Sequence, residues 1–318
     1  MLRTYSRVLS LYVVLFAVLI GATSVRADDD HPGGAVELLA TVPIPASMSP
    51  LRAFDISWID QGTELYYLAD RSNASVDVVN ARTNKFVKQI FANFKGVVLK
   101  PNPNGPGQVA DNDHSGPNGV VVSGHWLFVS DAGSRVVSID LRTDTVADTA
   151  FTGGKPGLRA DELAYDPEDG LLLVVNNADS PPFATLISVN TTNGHLSVGP
   201  RITFTTATNG AEQPVWDPKT KRFYQSIPEV NGPGDGTGPS GAVARINPHT
   251  AVVEVLYPVK FCQPAGLTLG PQGDLLLGCS VAFDTAGNAW SASDPNTAAP
   301  ISVIMDAKTG AIDRNVPG

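Results

Sequence analysis

An apolar residue, then Asp or Asn, then a short polar turn recurs five times along the 318-residue chain. The copies are "VNARTNK", "IDLRTDT", "VNTTNGH", "INPHTAV" and "MDAKTGA", with the Asx residue at Asn80, Asp140, Asn190, Asn247 and Asp306. A repeat near this period constrains a chain more than any composition does, because each copy must be one supersecondary unit. Asx followed by Thr or Gly caps its own backbone two or three residues on, so each copy reads as a hairpin turn between strands. Upstream of each turn lies a second unit: a polar residue, a short apolar strand, a turn, and a stronger apolar strand ending on a polar residue. "PNGVVVSGHWLFVSD" (117–131) and "DELAYDPEDGLLLVVNN" (161–177) show the pattern. Each repeat therefore supplies four strands in meander order, the signature of a β-propeller blade.

The expected fold is all-β, with five four-stranded blades starting near 54, 117, 161, 212 and 263. "GAVELLATVPI" (34–44) adds an N-terminal orphan strand. Five blades plus one strand fit a truncated or open six-bladed ring better than a ring that closes five-fold with a spare strand. Gly and Pro, 55 residues together, punctuate the chain too often for long helices.

The first 27 residues read as an export signal. Arg3 and Arg7 form a basic start, "LSLYVVLFAVLIGA" (9–22) an apolar core, and Val25 and Ala27 flank a small-x-small cleavage point. The propeller domain is then 28–318, secreted or periplasmic, with no stable membrane span after cleavage. Losing three Arg takes the net charge from −9 to −9 − 3 = −12, which argues against nucleic acid or anionic lipid as partners. A small-molecule ligand or substrate on the channel face is the expected partner. Cys262 and Cys279 sit at the two ends of a folded hairpin in blade five, and in an exported protein they are expected to form a disulfide.

In a propeller the innermost strands line a central channel, so the residues opening them face one another. By the repeat register these are Asp55, Asn118, Glu162, Gln213 and Gln263, with Glu212 alongside, and no cation in the register. Oxygen-only donors suit Ca²⁺ or Mg²⁺. Asp111, Asp113 and His114 lie in a long insertion (100–116) on the same face. As a lid, the insertion would present His114 or Asp113 as general base, and as plain turn chemistry it would do nothing. Trp58, Tyr165 and Trp216 each sit three residues into an inner strand and are expected to pack between blades. "GTGPSG" (236–241) leads into a strand rather than a helix, so it is not a dinucleotide loop.

"SGPNGVVVSGHWLFVSDAGSRVVSID" (115–140) resembles a strand pair of the senescence-marker-protein-30, gluconolactonase and strictosidine-synthase-like propellers, and virginiamycin-lyase-like propellers match as loosely. The first resemblance implies one divalent cation on the channel axis, carried over to Asn118, with Asp55, Glu162 and Gln213 at the corresponding repeat places. It also implies metal-dependent hydrolysis of lactones or esters. The competing expectation is a non-enzymatic binding or scaffold propeller, since one fold hosts many activities.

Overall fold

The computed structural model describes residues 38–45, 47–294 and 299–317. The chain divides into units 1–41 and 42–318. The expected signal segment lies outside the described residues, as do residues 34–37 of the expected orphan strand. Residues 38–44 of that strand take no regular structure, and Leu38 and Leu39 are exposed. A strand persists only where a neighbour satisfies its backbone, and among the described residues this stretch has no strand partner.

Five four-stranded antiparallel sheets follow one another in unit 42–318. Blade one holds β1 (Phe54–Asp60), β2 (Leu65–Asp70), β3 (Ser75–Asn80) and β4 (Lys85–Ile90). The insertion carries a small hairpin, β5 (Leu99–Pro101) and β6 (Gln108–Ala110), and one 3-10 turn at Asn112–His114. Blade two is β7 (Val120–Ser123), β8 (Trp126–Asp131), β9 (Arg135–Asp140) and β10 (Thr145–Phe151). Blade three is β11 (Leu163–Asp166), β12 (Leu171–Asn176), β13 (Phe183–Val189) and β14 (Leu196–Thr203). Blade four is β15 (Pro214–Asp217), β16 (Arg222–Ile227), β17 (Ser240–Asn247) and β18 (Val252–Lys260). Blade five is β19 (Cys262–Leu269), β20 (Asp274–Ala282), β21 (Ile301–Asp306) and β22 (Ile312–Pro317). Blades four and five touch through one parallel bridge, Ser240 to Cys262.

All five repeated Asx residues form the turns their sequence implies. The Oδ1 atoms of Asn80, Asp140, Asn190, Asn247 and Asp306 accept the backbone N–H of Thr83, Arg142, Thr192, His249 and Thr309 at 2.7–3.0 Å.

Blades hold together because alternate residues of a strand face opposite neighbours. In β8, Leu127 and Val129 pack against blade one, while Trp126 and Phe128 pack against blade three. Each such fully buried side chain contributes about 1.5–3 kcal/mol. Four cores result, joining blades one to two, two to three, three to four and four to five. Among the described residues no core joins blade five to blade one, as an open ring requires. On the side of blade one away from blade two the cross-strand row is more polar. Ser57, Asp77 and Gln89 share one cross-strand row there with Leu68, and Gln89 donates to the Asp77 carboxylate at 3.0 Å.

Candidate functional site at the channel mouth

The inner strands meet at the end where they begin. Ile56 N–H donates to Asn118 O at 3.2 Å, Gly119 N–H to Asp161 O at 3.1 Å, and Gln213 N–H to Ala265 O at 3.2 Å. These bonds link β1 to β7, β7 to β11, and β15 to β19 at the end where the inner strands open, which we call the mouth.

Two arginines occupy that mouth, against the expectation of no cation in the register. Arg71 directly follows β2 and is 4% exposed. Its Nε and Nη2 donate to Asn118 Oδ1 at 3.0 and 2.7 Å, its Nη1 donates to Asn112 Oδ1 at 3.2 Å, and its Nη2 pairs with Asp55. Arg159 reaches in from the loop before blade three. Its Nε donates to Asn177 Oδ1 at 3.2 Å, and its Nη1 lies 3.6 Å from Asp55 Oδ2. Its Nη2 meets Asp161 Oδ2 at 2.7 Å as an ion pair without hydrogen-bond alignment. Asn118 Nδ2 donates onward to Ala160 O at 2.7 Å. Residues of blades one, two and three are thus tied across the mouth by one charged network.

The sequence register of blades three and four was one residue late. Asn118 N–H bonds Ser130 O in blade two, and the backbone groups in the same role are Asp161 N–H to Val175 O and Glu212 N–H to Ser226 O. The counterparts of Asn118 are therefore Asp161 and Glu212, whereas Glu162 and Gln213 match Gly119. A slip of one residue in a strand turns every side chain to the other face. Asp161 accordingly joins the arginines. Gln213 Oε1 accepts Leu267 N–H at 3.3 Å, tying blade four to blade five, and Gln263 donates to Gly236 O and Gly238 O. Glu162 is 5% exposed, and its Oε2 is buried with no hydrogen-bond partner among the described residues.

Burial dominates the electrostatics. It raises Asp161 and Glu162 well above the ordinary carboxylate range, with the neighbouring carboxylates adding to the rise and Arg159 opposing it. Asp55 is raised too, by burial, with Arg71 and Arg159 pulling the other way. This is the pattern of carboxyls in low dielectric whose countercharge is incomplete. Between them the acids retain protons at pH values where exposed carboxylates are ionised.

The insertion lies over this network, as expected of a segment on the same face. Asn112 binds Arg71, and Asp113 O accepts Arg159 N–H at 2.8 Å. Asp113 therefore acts here through its backbone. The His114 ring turns elsewhere: Nδ1 lies 3.0 Å from Asp111 Oδ2, and the imidazole lines a separate cleft of about 480 Å³ with Lys95, Val98 and Gly157.

A divalent cation on the axis would have to sit where Asp55 Oδ2 and Asn118 Oδ1 converge, and the Arg71 guanidinium fills that point. A dication there would meet a buried like charge, so these donors do not fit one. Among the described residues no group of three or more His, Cys, Asp and Glu side chains gathers into a metal set.

Cys262 and Cys279 are disulfide-bonded, with Cα atoms 5.3 Å apart, joining β19 to β20 as expected. Tyr165 and Trp216 pack between blades as expected. Trp58 does not: it is 40% exposed and lines the channel. The missed residues, Arg71 and Arg159, lie just outside the repeated units, where a register reading does not look.

No family model and no curated protein matches the chain. Solved structures do. Hydrazine synthase of Kuenenia stuttgartiensis aligns with TM-score 0.57 at 14% identity over 80% of this chain and 63% of that one. The Dos1 propeller aligns with TM-score 0.56 at 12% identity over 85% and 62%. A chain of the nidogen/laminin complex aligns with TM-score 0.53 at 12% identity over 85% and 81%. The chain thus spans less than two thirds of the length of two of these structures. At such identities the likeness concerns the fold: this is a β-propeller. Membership of the senescence-marker-protein-30 and gluconolactonase family finds no support among these matches.

Proposed function

We propose that the chain is an exported, non-enzymatic binding propeller that holds a small molecule from its channel. The observation that carries this reading is Arg71, anchored on Asn118, Asp55 and Asn112 at the point where a metal-dependent lactonase needs its cation. A guanidinium bonded on this many sides cannot polarise a substrate carbonyl without dismantling its own network. Export is supported by the Cys262–Cys279 bond, which belongs to an oxidising compartment. Among the described residues no helix is long and apolar enough to cross a membrane.

Calorimetry with Ca²⁺ and Mg²⁺, followed by an assay on a lactone and ester panel, tests the reading. Neither stoichiometric metal binding nor turnover is expected. Metal binding abolished by Asn118→Ala would restore the hydrolase reading. A metal-free hydrolase has one observation in its favour, the Asp111–His114 pair. Asp111 holds His114 Nδ1 and leaves Nε2 as a base over its cleft. Turnover lost in His114→Ala would establish it.

A further inference from the structure

Beyond the mouth a cavity of about 570 Å³ opens between the inner strands. All five inner strands reach it, through residues that include Ser57, Trp58, Val121, Tyr165, Trp216 and Thr268. The volume lies in the range of roughly 300–1,000 Å³ that takes a small organic molecule.

The chemistry of the wall narrows the occupant. β1, β7, β11 and β15 each pair on one side only, so their second backbone edge faces the axis and offers N–H and C=O groups. Trp58 adds an exposed aromatic side chain, and Trp216 Nε1 has no hydrogen-bond partner among the described residues. The lining holds no basic residue and a single acid, Asp60, whose carboxylate already accepts Gly62 N–H at 3.0 Å and the Thr63 hydroxyl at 2.5 Å. A charged ligand would be desolvated here without a counterion, which is costly. A neutral ring system bearing a carbonyl or amide would stack on Trp58 and bond the strand edges.

Resting on the binding reading above, we infer that the lower channel, not the charged mouth, is the ligand pocket, and that its ligand is an uncharged aromatic molecule with carbonyl or amide groups. The mouth network is the closed end of this pocket.

Titration of the purified protein with Nile red, a neutral aromatic carbonyl compound, tests the inference. Anionic anilinonaphthalene sulfonate and cationic thioflavin T serve as charged counterparts. A single saturable Nile red site with blue-shifted emission is expected, with far weaker binding of both charged dyes. Ser57→Trp fills the cavity and should weaken binding by about tenfold. Trp58→Ala should weaken it less and remove energy transfer from that tryptophan, while Phe91→Ser, at an exposed rim residue, should change nothing. Should Ser57→Trp fail to fold, Trp58→Ala decides. Absence of a saturable site overturns the inference, as does binding indifferent to both channel variants or lost with Phe91→Ser. Metal-dependent turnover in the earlier assay would instead sink the binding reading, so the two failures are distinguishable.

Discussion

The two ends of the channel are built from the same five strands and have opposite characters. At the mouth, backbone bonds pull the strands together, and two buried arginines are satisfied by Asp55, Asn118, Asn112, Asn177 and Asp161. At the other end a cavity opens between the strands, and Trp58 stands exposed. One end resists opening, and the other has room for a guest. Stability and binding are therefore expected to separate along the axis, with variants at the mouth changing the first and variants below it the second.

The largest effect should come from Arg71→Ala. It leaves the Asp55 carboxylate and the Asn118 amide without their partner, and removing one member of a buried ionic network costs about 3–5 kcal/mol. Urea denaturation measures this. Arg71→Lys should recover only part of the loss, because an ammonium cannot reach three acceptors in a planar fork. A loss below about 1 kcal/mol for Arg71→Ala would mean that the mouth is no tighter than an ordinary surface ion pair.

Next in size is the disulfide. It closes a loop of 17 residues on β19 and β20, and in the chain-entropy account a loop of this length contributes about 3 kcal/mol. The double substitution Cys262→Ser with Cys279→Ser should lower the denaturation midpoint accordingly. Because β19 is one of the laced strands, hydrogen exchange should quicken at Gln213 N–H, which bonds Ala265 across the blade junction. Exchange unchanged there would confine the bond's influence to its own hairpin.

How far this contrast was legible in the sequence follows from what repeats. The Asx turns, the strand pairs and the disulfide recur in register or close a hairpin, so periodicity exposed them. Arg71 repeats nowhere: the residue after the second strand is Ala132 in blade two and Asn177 in blade three. A register search discards such single-blade residues as noise, yet an asymmetric site is made of them. The choice of Glu162 over Asp161 failed for another reason. Both are acids, and only the backbone pairing of blade three says which one faces Arg159. The exposure of Trp58 was hidden because only the backbone pairing shows that Ile59, not Trp58, takes the place of Tyr165 and Trp216 in blade one.

The acids give a smaller effect with a definite sign. Folded Asp161 and Glu162 hold protons above their ordinary values of 3.8 and 4.5. Between those values and the raised ones the folded chain binds more protons than the unfolded chain. Their contribution is thus full below the ordinary values and is lost as pH rises through the raised ones. Glu254, held down to about 2 by Arg222, works the opposite way, contributing above its ordinary value and losing that contribution as pH falls. The melting temperature should therefore be higher near about pH 5 than near about pH 7.5 and should drop again in stronger acid. Glu162→Gln removes one buried charge and should flatten the upper limb, with a gain of roughly 1 kcal/mol at neutral pH. A melting temperature that rises steadily from pH 5 to 7.5 would show that these acids are ionised and paired in the folded state.

The smallest expected effect on stability carries the most weight for the comparison. Trp58 packs less closely than the inner-strand aromatics Tyr165 and Trp216, which are 9% and 8% exposed. By hairpin register it stands one residue earlier than they do, and their place in blade one falls to Ile59. An aromatic residue truncated in a tight core costs about 3–5 kcal/mol, and Trp216→Ala should approach that range because its ring lies 4.8 Å from Phe223 within the core of blades three and four. Trp58→Ala should change stability by no more than roughly 1 kcal/mol, near the behaviour of exposed residues. Equal losses for the two substitutions would place Trp58 in the core, and the contrast between the ends of the channel would then be one of charge alone.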